Sequence, residues 1–328
     1  MKRKSVIKIA AFALAGIAGL GLLLTGVLFM ISGGLMKQTY MEPWSKDYTS
    51  KISDHRVRLA ARGLLAASNH NMQPWKIELD KADQRVFYLY ADSSRLTKEV
   101  DPYARQMMIS QGTFLEYVAV AGEEEGLQTE ITLFPSGEYD ESHLSESMDA
   151  KPVAKIMVSN AEAKGSPLYD AVFLPDTNRG PYSMDSLSPS QTSALEALSG
   201  GKELSVKLYQ DKNDRKAIGD YAMKSAEIEA FVTRIMEESN VIFRANEYQK
   251  NQYRYGYSVE GQGTSGFMKH MMQGLLTIFP SFNTGEAATK NFITSTQTSV
   301  DNTPAYAMIV SARSEEHTSE LQSLSRIS

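Results

Sequence analysis

Between an alanine-rich run and a strand-like segment the chain places Ser68-Asn69-His70-Asn71-Met72-Gln73-Pro74-Trp75. The carboxamides of Asn71 and Gln73 each carry a donor and an acceptor, so together they can read a flat heterocycle whose edge alternates the two. An isoalloxazine ring has such an edge. Short polar loops between a helix and a strand are common positions for sites, because rigid elements hold them on both sides. The same residues also read as a plain polar turn closed by a buried Trp75, and a short motif takes its meaning from its context.

The elements that must position this loop are legible around it. Asp54 or Ser53 suits an N-cap, and Val57, Ala61, Leu64 and Leu65 recur at helical spacing, which predicts a helix over 55–67. Residues 75–79 and 85–90 alternate around Asp80-Lys81-Ala82-Asp83 as a hairpin does. Arg58 and Arg62 share a helix face one turn apart. Guanidinium groups grip phosphate through paired hydrogen bonds, so both are phosphate candidates, with a solvated helix face as the plainer alternative. Asp101-Pro102 is expected to open a helix that runs through Met108, Gly112 and Val118 and stops at Gly126, followed by strands over 130–134 and 153–158.

Beyond residue 186, residues 203–209 alternate as a strand and 214–239 carry the periodicity of one long helix. Residues 261–266 satisfy G-x-G-x-x-G, yet polar and aromatic residues precede them instead of a buried strand, so a mobile loop or lid is expected and not a dinucleotide fold. The Met-rich run Met268, Met271, Met272, Leu275, Leu276 and Ile278 is expected in the core or under that lid, and not as a separate membrane element. Residues 304–310 read as a core strand.

Composition narrows the classes. The 328 residues carry a net charge of -5 with no basic block in the body, which argues against a nucleic-acid partner. The absence of cysteine excludes disulfides and thiolate nucleophiles, and five histidines without paired ligand spacing give no support to a metal site. Lys2, Arg3, Lys4 and Lys8 precede an uncharged apolar run from Ile9 to Ile31. At helical rise it extends about 34 Å, long enough to span a bilayer and too long for the apolar region of a cleaved signal peptide. An uncleaved signal anchor is the expectation, with the basic tip cytoplasmic and everything after Lys37 outside the cytoplasm.

Ser68, Asn71, Gln73, Pro74 and Trp75 match a Ser-x-x-Asn-x-Gln-Pro-Trp loop, and the segment resembles the nitroreductase-like flavoprotein superfamily, whose members hold FMN against it. Two further stretches are similar to family landmarks. One is the helix opening Asp101-x-x-x-Arg105 and continuing through Gly112 to Leu115-Glu116. The other, Thr177-Asn178-Arg179 with Pro181-Tyr182, resembles the Acg-type branch, in which one chain holds two related halves; Pro175 and Asp176 stand where that branch has an arginine pair, which removes two positive charges.

The resemblance implies an α+β, nitroreductase-like fold with two related halves, each a sheet flanked by helices, preceded by one transmembrane helix. It implies a monomeric pseudo-dimer divided as anchor 1–37, connector 38–54, first half 55–185 and second half 186–312. It further implies FMN as cofactor, Ser68, Asn71 and Gln73 at the flavin, Arg179 and Arg58 toward its phosphate, no side-chain nucleophile, and a small-molecule electron donor and acceptor. Outside the cytoplasm NAD(P)H is scarce, so a conventional nitroreductase reaction fits poorly. A flavin-sequestering protein without turnover and a tethered scaffold that has lost FMN are the alternatives. Residues 313–323 match a translated sequencing-adaptor oligonucleotide, so 313–328 are expected to be a scar that leaves the second half incomplete. The orientation is tested by a reporter fused after Val310, expected to be reachable from outside intact cells; a protected reporter overturns it.

Overall fold

The computed structural model describes residues 2–174, 177, 180–199 and 204–311, with side chains from residue 12 onward. The chain mixes helix and strand. Helix α1 (Lys2–Ile31) leads it, and within α1 the stretch Phe12–Ile31 has a mean hydropathy of 2.3 and no buried residue, long and apolar enough to cross a membrane. The connector follows as two 3-10 turns, Thr39–Trp44 and Lys46–Thr49.

Helix α2 (His55–Gly63) is capped by the Asp54 carboxylate, which accepts from the Arg56 amide. It stops four residues short of the expected end, and Ala66 and Ala67 belong to the turn that follows. Strands β1 (Trp75–Leu79) and β2 (Val86–Ala91) form the expected hairpin, and Asp80 Oδ1 accepts from the Ala82 and Asp83 amides to close its turn. Helix α3 (Arg105–Glu125), strand β3 (Leu127–Leu133), helix α4 (Leu144–Ala150) and strand β4 (Ala154–Asn160) complete a sheet of order β1-β2-β4-β3, antiparallel throughout. Phe114, Leu115, Val118 and Ala121 of α3 bury against Phe87, Leu89, Ile156 and Val158, which makes α3 the support of this sheet. It starts at Arg105 and not at Asp101. The Asp101 carboxylate caps it from outside the first turn, accepting from the Gln106 and Met107 amides at 3.2 and 2.9 Å, while Ala104 turns through φ 54°.

The second half opens with α5 (Pro189–Glu196), capped by Ser188 and Gln191, and strand β5 (Leu204–Tyr209). The long helix expected over 214–239 is two: α6 (Lys212–Ala230) and α7 (Thr233–Val241). The break at Val232 turns α7 so that Glu238 accepts from the Glu99 and Val100 amides at 3.0 Å and Arg234 pairs with Glu99. Strand β6 (Phe243–Arg244), helix α8 (Glu247–Tyr253), strand β7 (Tyr257–Ser258), helix α9 (Gly266–Ile278), helix α10 (Gly285–Asp301) and strand β8 (Tyr306–Ser311) follow. β8 pairs antiparallel with β5, and β6 parallel with β7. Where the first half has four strands in one sheet, the second has these two-stranded pairs among its described residues. The two halves do not display matching sheets.

Two expectations change here, for the Met-rich run and for the last strand. Gly261 lies in a 3-10 turn, Glu260–Gln262, that follows the two-residue strand β7, so no buried strand leads into the 261–266 glycines, and Glu260 beside them is paired with Lys250 and Lys269. Of the Met-rich run only Leu276 is buried as expected for core; the run forms helix α9, packed against the C-terminal end of α1, with Met268 and Ile278 exposed. Strand β8 forms as expected but is not core, since Met308, Ile309 and Val310 are exposed on a two-stranded pair.

Buried Glu247 joins these parts. Its amide donates to Ser32 O at the end of α1, and its carboxylate accepts from Tyr40, Gln38 and Gln273, with Lys250 and Lys269 within 3.5 Å. Burial pushes this carboxyl up, but the Gln273 hydrogen bond, the two lysines and the Tyr40 hydroxyl outweigh it, leaving it below the ordinary value. The stabilisation is therefore complete above the ordinary carboxylate range and is lost as pH falls through the lowered value. Replacing Glu247 with Ala leaves Lys250 and Lys269 with Glu260 as their remaining carboxylate and leaves Gln273 and Tyr40 without their acceptor, and urea denaturation of the full chain in detergent should show a loss of about 1–3 kcal/mol.

Candidate functional site

The loop from Ser68 to Trp75 is strained. His70, Asn71 and Gln73 adopt φ of 47°, 53° and 48°, the left-handed region, within four residues and without a glycine. Each such residue costs about 1–2 kcal/mol, least for Asn, whose side chain can bond locally. The loop therefore has to be held from outside.

Helix α3 holds it from one side. The Ser110 hydroxyl accepts from the Asn69 amide at 3.0 Å, Trp75 Nε1 donates to Ser110 O at 3.0 Å, Gln111 Nε2 donates to Pro74 O at 2.8 Å, and Thr113 Oγ1 donates to Ala67 O at 2.7 Å. Trp75 is buried, its ring tilted against Phe114 at 5.2 Å between centroids. Within the loop, Ser68 Oγ accepts from the Gln73 amide at 3.0 Å, which closes the turn.

The segment between α8 and β7 holds it from the other. Asn71 Nδ2 donates to Gly256 O at 2.9 Å, the Gly256 amide donates to Asn71 O at 2.9 Å, and Gln73 Nε2 donates to Arg254 O at 2.8 Å and lies 3.2 Å from Asn71 Oδ1. Gly256 itself sits at φ 89°, and a Cβ there would lie 2.1 Å from Ile242 O. Only glycine fits this position.

Ser68, Asn71 and Gln73 are thus brought together as a unit, with Asn71 exposed and Gln73 half-buried. Both carboxamides already donate to backbone carbonyls. Gln73 Nε2 spends both hydrogens, on Arg254 O and Asn71 Oδ1, whereas Gln73 Oε1 accepts no hydrogen bond and Asn71 Nδ2 keeps a second hydrogen, so the pair still has one acceptor and one donor to offer a ligand edge. Arg58 is not brought to them. It pairs with Glu125 at 2.9 Å, at the end of α3 about 22 Å along the helix from Ser110. Arg62, its neighbour on the helix, is buried and donates to Lys46 O and Thr49 Oγ1, tying down the connector instead of facing solvent. Arg179 lies outside the described residues.

Two other arginines do reach the loop's surroundings. The Arg95 guanidinium lies 3.5 Å from the Tyr255 ring centroid and that of Arg244 lies 4.8 Å from it, while Arg244 Nε donates to Tyr255 O at 2.9 Å. Arg244 is buried, and burial together with the Arg95 charge pulls its pKa down against the opposing influence of Tyr255 and Tyr253. Burial likewise pushes the Tyr257 hydroxyl up to about 12. Asn69 Nδ2, Arg95 Nη1 and Gln111 Oε1 are buried without a hydrogen-bond partner, which leaves polar capacity unspent around the loop. Sequence alone carried no signal for this grouping: Arg95 and Arg244 lie in different halves, and no spacing links them.

A cavity of about 360 Å³ lies elsewhere, lined by Lys76, Ile77, Glu78, Tyr90, Met148 and Asp149. Among the described residues no cluster of three or more His, Asp or Glu is placed to hold a metal ion. No family model and no curated protein matches the chain, so the site is read from its own geometry. The glycine requirement is testable: Gly256→Ala should lower stability by at least about 1–2 kcal/mol in thermal or urea unfolding, from the left-handed backbone alone.

Proposed function

We propose that the 68–75 loop is the rim of an FMN site and that the chain is a membrane-anchored, FMN-dependent oxidoreductase of nitroreductase-like type. One observation carries this reading. Three non-glycine residues, two of them the carboxamides of the Ser68-x-x-Asn71-x-Gln73-Pro74-Trp75 motif, are held in a strained backbone conformation by two separate parts of the chain. Strain of this kind persists only where its surroundings over-determine it, and it clusters at ligand-binding positions. The bound flavin would supply the electron-carrying chemistry.

The chain's own residues orient and bind. Gln73 Oε1 and the spare amide hydrogen of Asn71 meet the polar edge of the ring. Arg95, which lies 3.7 Å from Asp92, and Arg244, both over Tyr255, supply the cationic character a phosphate requires, in place of Arg58, which Glu125 holds at the far end of α3. Helix α1 spans the cell membrane once, with the basic tip inside and the body outside the cytoplasm. The reaction joins a small-molecule donor and acceptor, with NAD(P)H an unsuitable donor on that side.

A second reading has its own observation. Both carboxamides donate to the backbone of Arg254 and Gly256, the arrangement of a clasp between the two halves in a tethered scaffold without cofactor. Titration of the full chain in detergent with FMN, followed by quenching of flavin fluorescence, separates the two. Saturable binding is expected, and Asn71→Ala should weaken it by about 1–3 kcal/mol, roughly 5- to 150-fold. No binding by the folded wild-type chain sinks the flavin reading and leaves the clasp. A yellow protein that dithionite does not bleach points to sequestration in place of turnover.

A further inference from the structure

Helix α9 is turned inside out. Its polar and small residues face the protein: Lys269 lies 3.5 Å from both Glu247 and Glu260, Gln273 Nε2 donates to Glu247 at 2.9 Å, and the Thr277 hydroxyl accepts from Asn246 Nδ2 at 3.1 Å. Phe267, Met268, Met271, Met272, Leu275 and Ile278 fall within an arc of about 140° on the other side, and none of the six is buried. Phe267 and Met268 are each 58% exposed. The turn that follows adds Phe279 and Phe282, their rings tilted against each other at 5.6 Å and about half exposed. Between Gly261 and Gly285 the sole charged residue is Lys269, which is buried and paired. An aqueous surface is seldom so free of charge over this length, and a large exposed apolar patch marks an interaction site.

The occupant of this face follows from what adjoins it. Helix α9 packs directly on the last turns of α1: a Cβ on Gly274 would lie 2.4 Å from Leu28 O, His270 meets Phe29 edge-on at 4.9 Å and shares a 3.0 Å hydrogen bond with Ser32, and Phe267 stacks on Phe29 at 6.4 Å. The apolar surface of α1 therefore continues into that of α9 and the turn, at the end of α1 farther from the basic tip.

We propose that α9 and the Phe279–Phe282 turn are a second, non-spanning membrane contact: α9 lies in the outer interface of the bilayer that α1 crosses, with its Met-rich face among the acyl chains. This rests on the reading of α1 as a membrane span. A helix of this kind buries its apolar face about 5–10 Å into the boundary between headgroups and acyl chains. The contact fixes the orientation of the body on the membrane, which a single span followed by a polar connector does not.

The chain has no cysteine, so single-cysteine variants need no background removed. Met268→Cys, Phe282→Cys, Leu20→Cys within the span and Lys216→Cys on the exposed surface of α6 are each labelled with an environment-sensitive NBD dye. The full-length proteins are reconstituted in phosphatidylcholine vesicles carrying nitroxide quenchers at shallow or deep acyl positions. Positions 268 and 282 should emit to the blue of 216 and be quenched most by shallow nitroxides, position 20 most by deep ones, and 216 by neither. Quenching at 20 without quenching at 268 and 282 overturns the proposal and leaves the span intact. Blue-shifted emission at 268 and 282 that no nitroxide quenches also overturns it, by showing that protein, such as a second copy of the chain, covers the face. No quenching at any position, 20 included, removes the span and the proposal together.

Discussion

A turn in which His70, Asn71 and Gln73 all take left-handed backbone angles cannot hold itself, and the arrangement of the chain follows from that constraint. The polar groups of α3 that face the turn are placed by the packing of α3 on the sheet, since the helix that carries Ser110, Gln111 and Thr113 also buries Phe114 and Val118 against Phe87 and Ile156. Those bonds fix the side of the turn that joins β1. The other side is fixed by Arg254 and Gly256, residues from the opposite half, so the loop is complete only when both halves are assembled. Two elements of the same chain thus hold a conformation that neither would impose alone.

Helix α8 couples this loop to the end of α1. Its first residue, Glu247, is held by Ser32, Tyr40, Gln273 and Lys269, and its C-terminal cap, Arg254, offers its carbonyl to Gln73. Seven residues of helix span about 10 Å, so the candidate site lies one short, rigid element away from the point where α1 enters the folded body. A buried carboxylate among two lysines and three neutral donors is costly to assemble and more costly to break, which suits a joint that must keep a fixed geometry. Helices α1 and α9 and the polar loop are in this way parts of one connected framework.

Local features of the fold are legible in residue type and spacing. The β1–β2 hairpin, the end of α3 at Gly126, the strands β5 and β8 and the apolar run of α1 all lie close to where periodicity and turn residues put them. Three departures share a cause. Helix α3 starts late because Asp101 caps it from beyond the first turn. The helix expected over 214–239 breaks because Glu238 and Arg234 are drawn to the 99–100 segment. Helix α2 stops early because the strained loop needs its last residues. In each case a partner outside the helix outweighs a local preference worth about 1 kcal/mol.

The sequence by itself determined which residues form the polar loop between a helix and a strand and that Asn71 and Gln73 are its two carboxamides ahead of Pro74-Trp75, because these depend on residue type and spacing along a short stretch. Only the tertiary structure decided that Arg95 and Arg244, and not Arg58, approach the loop, and that α9 turns its polar face inward toward Glu247. Periodicity defines the faces of a helix but not their direction. That direction is set by the partners each face meets, and here a buried carboxylate from α8 and the apolar end of α1 reverse the usual order.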